Sequence, residues 1–227
     1  MIVTIDGPVA SGKSSVARAL ARQLGFYYLN SGMLFRALAY ILVQKQHVPL
    51  AQLAGLSAHD LTRYLDIQQV HYDYVEGQES VRYGTSDITA YLKNADIDQA
   101  SSLLSANPAV REMVMVLEHQ IASGHQIVID GRDTGSVVFP YAELKIYLTA
   151  SLHVRAYWWQ QFMAKKGLIF SDEAARQEVA NRDERDTKRS IAPLIIPVGA
   201  IVIDSSNKSI ADVVGEIVIL VQRYRHG

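Results

Sequence analysis

Eight residues near the start, Gly7-Pro8-Val9-Ala10-Ser11-Gly12-Lys13-Ser14, lie between an apolar run, Met1-Ile2-Val3-Thr4-Ile5, and a helical pattern, Val16, Ala17, Leu20, Ala21 and Leu24. They match G-x-x-x-x-G-K-[ST], and strand, loop and helix is the setting that spacing requires. Glycines let the backbone turn without a Cβ clash, so successive N–H groups point inward at an anion. The unpaired N–H groups at the start of the helix face the same anion. The pattern therefore points to a nucleoside triphosphate, with Gly7, Pro8, Val9, Ala10, Ser11, Gly12, Lys13, Ser14 and Ser15 as its contacts. Lys13 reaches toward the β- and γ-phosphates, and the Ser14 hydroxyl is the candidate ligand of a magnesium ion.

The rest of the chain has to supply a fold that holds such a loop. Ile2–Ile5, Ile127–Ile129, Leu144–Leu148 and Ile201–Ile203 read as buried parallel strands, with a weaker one at Tyr27–Leu29. Amphipathic helices separate them. One covers about 14–24 and stops at Gly25, and another starts with Asn107 as cap and Pro108 at its first position. The stripe Val110, Val114, Leu117 and Ile121 follows at helical spacing. Ser151 and Ser209 are caps for two later helices. Alternating strands and helices give an α/β fold, a parallel sheet flanked by helices. Two segments break the rhythm. Val70, Tyr72, Tyr74, Val81 and Tyr83 alternate with polar residues around Glu76-Gly77-Gln78, which predicts an antiparallel hairpin. A charged helical stretch runs from about 155 to 189.

Net charge excludes some partners. With 22 Lys and Arg against 23 Asp and Glu, the formal charge is -1, so no global basic field draws nucleic acid or a membrane surface. Cysteine is absent, which excludes disulfides and thiolate metal sites. The seven histidines have neither H-x-H nor H-x-x-x-H spacing. No apolar run approaches the ~20 residues of a membrane helix, and no signal-peptide pattern precedes residue 7. A cytoplasmic monomer is expected.

Beyond the loop, Arg182, Arg185, Asp186 and Arg189 fall at i, i+3, i+4 and i+7. On one helix they would share a face, either as an arginine fork for phosphate or as a solvated face of ion pairs. Asn30-Ser31-Gly32-Met33-Leu34-Phe35-Arg36 follows the second strand, and Asp130-Gly131-Arg132-Asp133 follows Ile127–Ile129. Both lie at strand carboxyl ends, where ligands of α/β sheets bind.

Taken with Ile5-Asp6-Gly7-Pro8, Asn107-Pro108-Ala109-Val110-Arg111, Asp130-Gly131-Arg132-Asp133-Thr134-Gly135, Leu144-Lys145-Ile146-Tyr147-Leu148-Thr149-Ala150-Ser151 and Arg182-Asp183-Glu184-Arg185-Asp186 to Ala192-Pro193-Leu194, these residues make the chain resemble the bacterial cytidylate kinases over nearly its whole length. The resemblance implies a nucleoside monophosphate kinase of P-loop NTPase type. Its core would be 1–33, 104–154 and 190–227, with a monophosphate-binding insertion at 34–103 carrying the hairpin and a helical lid at 155–189. ATP with magnesium would be the donor, and CMP or dCMP the acceptor. Ser31 and Arg36 would hold the acceptor phosphate. Ser102, Arg111 and Asp133 would read the cytosine edge, and Asp186 and Arg189 the ribose hydroxyls. Arg132, Arg182 and Arg155 would face phosphate during transfer, beside Lys13. A kinase for UMP, or a nucleotide-binding protein with impaired catalysis, are the alternatives. The second rests on Val154-Arg155-Ala156-Tyr157-Trp158-Trp159, where the family pattern E-R-A-x-R-R has two arginines in place of the tryptophans. On a helix those tryptophans either stack on the donor base or pack onto the core. Asn30 and Phe35 stand where the family has Asp and Tyr.

Overall fold

The computed structural model describes residues 1–226, which form two compact units, one of residues 1–26 with 127 onward and one of residues 27–126. In chain order the elements are β1 (Ile2–Asp6), α1 (Lys13–Leu24), β2 (Tyr27–Asn30), α2 (Ser31–Tyr40), α3 (Ala58–Tyr64), β3 (Val70–Val75), β4 (Gln78–Tyr83), β5 (Ser86–Asp87), α4 (Ala95–Leu104), α5 (Pro108–Ala122), β6 (Ile127–Asp130), β7 (Leu144–Thr149), α6 (Leu152–Ala164), α7 (Asp172–Lys188), β8 (Ile201–Asp204) and α8 (Ile210–His226).

The first unit is built on parallel strands in the order β6-β1-β7-β8. Val3 pairs with Val128 and Leu144, and Leu148 with Ile203. Strands β1 and β6 are buried on both faces, while β7 buries alternate residues. Val3, Ile5, Ile127, Val128, Ile129, Ile146 and Leu148 are all fully buried. Helix α1 packs on α8, and Val16, Ala17, Leu20 and Ala21 of the first meet a core that also holds Val213, Ile217 and Val221 of the second. Each fully buried branched side chain contributes roughly 1.5–3 kcal/mol. Gly25 closes α1 in the left-handed conformation, φ 66°, and donates its N–H to the Ala21 carbonyl. Because the strands are parallel, the loops after β1, β6 and β7 all leave the same edge of the sheet. The charged stretch expected at 155–189 is two packed helices, α6 and α7, separated at 165–171 by a turn with Gly167 at φ 80°.

The second unit contains β2, the hairpin and helices α2 to α5. Strands β3 and β4 pair antiparallel, Tyr72 opposite Val81, across Glu76 and Gly77 at φ 52° and 81°. Two consecutive left-handed residues are what a tight hairpin turn needs to match strand twist. Helix α2 packs on α4, burying Leu34, Leu38, Ile97, Ala100 and Leu104. The Asn107 side chain caps α5 by accepting from the N–H groups of Ala109 and Val110, and it donates to the Leu56 carbonyl. Among the described residues no helix is long and apolar enough to cross a membrane.

Candidate active site

The phosphate loop turns sharply because both of its glycines take positive φ angles that side chains disfavour. A Cβ on Gly7 would lie 2.0 Å from the Leu148 carbonyl oxygen of β7, so the backbone there has no room for a side chain. Gly12 sits at φ 85° and caps α1. Lys13, the first residue of that helix, folds its side chain back into the loop. Its Nζ donates to the Pro8 carbonyl at 2.5 Å and to Ser11 Oγ at 3.3 Å. Burial, reinforced by the Arg132 charge, pulls the Lys13 pKa well below 10.5, against the opposing pull of Asp130, Asp186 and Asp6. A buried ammonium beside the unpaired amides of a helix start is a site complementary to a polyanion. Ser14 Oγ donates to Asp130 Oδ2 at 2.7 Å, and Asp130 is buried at the end of β6. A hydroxyl and a carboxylate so close together offer the hard oxygen ligands magnesium prefers. Ser15 is exposed on the next step of the helix.

Three ion pairs surround this loop within the same unit. Arg132 Nε meets Asp186 Oδ2 at 2.7 Å, Arg189 Nη2 meets Asp133 Oδ1 at 3.0 Å, and Arg155 Nη1 meets Asp183 Oδ2 at 2.5 Å. Burial opposes charge on Asp186, but Arg132, Arg182 and Arg189 outweigh it and hold the carboxyl below 3.8. Burial also works against Arg132, where Asp186 and Asp130 more than compensate and keep it charged. At the end of β1, Asp6 accepts from the Thr134 N–H and hydroxyl and from the Gly135 N–H, at 2.7–2.9 Å. Burial raises its pKa even so. Those bonds fix the turn immediately after Asp133.

The fork expected from i, i+3, i+4, i+7 spacing is only partly formed. Helix α7 ends at Lys188, and Arg189 is extended at φ −62°, ψ 139°. It leaves the helix because its guanidinium is held by Asp133 and by the Ala192 carbonyl, at 2.5 Å. Asp186 points inward and is buried, Arg182 is half-buried, and Arg185, a step of about 100° from Asp186, is exposed. Trp159 packs against the cluster of Val9, Ala156, Ala175 and Val179 and meets the Phe170 ring edge-on at 4.7 Å. For Trp159, of the two readings of the tryptophan pair, this is the packing one.

The Asp186–Arg132 pair carries a pH signature. A folded pKa below the unfolded value means that its stabilisation is complete above 3.8 and is lost as pH falls through the lowered folded value. Asp186→Asn is therefore expected to lower the urea midpoint at pH 7, with the gap to the parent narrowing below pH 3.8. Urea titrations of both chains across that range check it, and a gap constant with pH would count against the ion pair as its source.

In the second unit, Ser31 opens α2 and is buried. One turn on, Arg36 Nε meets Asp98 Oδ1 of α4 at 2.7 Å. Arg111 of α5 donates to the Ser105 carbonyl at 3.0 Å and lies over the Phe35 ring, 5.5 Å from its centroid. Ser102 is half-buried on α4, and its carbonyl accepts from the Ser105 hydroxyl. Arg36, Arg111 and Ser102 thus join α2, α4 and α5 through a few shared partners. Three carboxylates that make key contacts, Asp6 in the first unit, Asp98 in the second and Asp183 in the first, are given no site role by the sequence reading. Their partners lie 128, 62 and 174 residues away, so no local spacing reveals them.

The family model for cytidylate kinase matches residues 3–223. A cytidylate kinase of Streptococcus gordonii is 40% identical over 213 residues, covering 93% of this chain and 92% of that one. One from Chlamydia caviae is 38% identical over 224 residues, covering 97% and 98%. The crystal structure of an uncharacterized protein from Eubacterium ventriosum is similar in fold, with a TM-score of 0.54 over 98% of both chains at 10% identity. The chain belongs to the cytidylate kinase family.

Proposed function

We propose that the protein transfers the γ-phosphoryl group of ATP to CMP or dCMP, giving ADP with CDP or dCDP. The observation that carries this is the buried Lys13 ammonium inside the Gly7–Ser14 loop, in a chain that matches that family over residues 3–223. An oxygen of the acceptor phosphate forms a new bond to the γ-phosphorus as the bond to the β,γ-bridging oxygen breaks, and that oxygen leaves on ADP. The acceptor is already ionised, so no strong base is required, and catalysis is positioning plus charge stabilisation. Lys13 and the amides at the start of α1 hold the donor's phosphates. Arg132, Arg155 and Arg182 answer the charge that spreads over the transferred group. Ser14, with Asp130 hydrogen-bonded to it, would hold magnesium, which supplies neutralisation of the phosphate oxygens when bound.

Ser31 and Arg36 are assigned to the acceptor phosphate, Ser102, Arg111 and Asp133 to the cytosine edge, and Asp186 and Arg189 to the ribose. Cytosine carries an amine beside two acceptors. Asp133 suits the amine and Arg111 suits N3 and O2. Segment 34–103 is assigned to monophosphate binding and 155–189 to a lid over the donor. A cysteine-free chain suits the reducing cytoplasm, where we place it as a monomer.

The test is ADP release from ATP with CMP, dCMP, UMP, AMP and GMP in turn. CMP and dCMP are expected to lead. Equal rates with UMP would reject the cytosine assignment, and no ADP release with any acceptor would reject the kinase.

A further inference from the structure

The outer turn of the phosphate loop is gripped by residues its motif does not contain. The Val9 N–H donates to Asp183 Oδ1 at 3.0 Å, and the Val9 carbonyl accepts from Arg155 Nη1 at 3.1 Å. That same Nη1 donates to Asp183 Oδ2, while Arg155 Nε donates to the Ala150 carbonyl at 2.9 Å. One ion pair from α6 and α7 therefore engages both the donor and the acceptor of a single loop residue. The neighbouring Ala10 stands at φ 58°, a left-handed conformation that a residue with a side chain keeps only when its surroundings hold it there. Apolar contacts do the rest. Val9 is buried with Ala156, Ala175 and Val179, and Ala10 and Trp159 pack against that cluster. Trp159 is in turn braced by Phe170.

We infer that Asp183 and Trp159 are positioning residues for the phosphate loop, holding Val9 and Ala10 so that the amides of residues 11–14 and Lys13 are set before the triphosphate arrives. Asp183 supplies the polar hold. Trp159, at a position where the family pattern has an arginine, supplies an apolar one. This rests on reading Gly7–Ser14 as the triphosphate site.

Amide hydrogen exchange of the full chain without nucleotide, and ATP binding measured without CMP, test it. In Asp183→Ala and in Trp159→Ala, exchange at Val9 and Ala10 is expected to quicken about tenfold or more, with β1 amides such as Val3 and Ile5 unchanged. The ATP dissociation constant is expected to rise about tenfold, the loss typical of a hydrogen bond to a charged group. Trp159→Phe restores most of both, since an aromatic edge remains. Unchanged exchange at Val9 and Ala10 together with unchanged ATP affinity would overturn the proposal. If an alanine variant also loses β1 protection, Asp183→Asn and Trp159→Leu decide, with smaller shifts of the same sign expected and none overturning it. A chain that binds ATP but ignores CMP would sink the proposed reaction and leave this role standing. A chain that binds no ATP would sink the loop reading itself.

Discussion

Lys13→Ala is expected to lower kcat with ATP and CMP by on the order of 10²–10³-fold while the chain stays folded. The Lys13 ammonium is buried and turned into the loop, 2.5 Å from the Pro8 carbonyl. Burial strengthens any interaction it makes with phosphate, because no water competes for the charge. The same burial makes the lysine costly when the loop is empty, which is why its pKa is pulled down. Removing it should leave stability unchanged or slightly raised, since the desolvation that disappears with the charge outweighs the attractions of Asp130, Asp186 and Asp6. Loss of activity with a retained or higher melting temperature is thus the signature of a residue kept for chemistry. Steady-state kinetics beside thermal unfolding measure both, and a variant within a few-fold of the parent would end the assignment of this loop.

Asp133→Asn is expected to cut the ratio of kcat/KM for CMP over UMP by about ten- to a hundredfold. A carboxylate accepts from the cytosine amine, whereas uracil presents a carbonyl to the same place and leaves a polar group unpaired. An amide can donate as well as accept, so the asparagine no longer distinguishes the two bases. Asp133 and Arg189 are both buried and pair at 3.0 Å, so the variant will also be less stable. Reading the ratio rather than either rate removes that contribution, because lost protein scales both substrates alike. A ratio unchanged from the parent would place base selection elsewhere, on Ser102 or Arg111.

The fold was open to inspection in the sequence wherever a local rule sufficed. Strands β1 and β6 announce themselves as apolar runs because both their faces are covered, whereas the edge strand β8 buries Ile203 and leaves Val202 half exposed. Gly25 and Asn107 end and begin helices through bonds to neighbours within four residues. The hairpin follows from alternation around Glu76-Gly77. The candidate site was legible in part, and for a related reason. Gly7 to Ser14 act together as consecutive residues, so their spacing carries the chemistry. Arg182 to Arg189 do not act that way. Helical spacing places four side chains on one face only if the helix continues, and it stops one residue short of Arg189 because Asp133, 56 residues away, competes for that guanidinium. Asp183 illustrates the same limit. Its place among charged neighbours on α7 looks like that of a solvated acid, and only the folded chain brings it to the Val9 amide.

The most direct measurement follows the phosphorus atom itself. Purified protein given ATP labelled in its γ-phosphate, with magnesium and CMP, is expected to pass the label into the β-position of CDP, one CDP for each ADP formed. Label recovered only as inorganic phosphate, or transferred to UMP in preference to CMP, would contradict phosphoryl transfer to cytidylate.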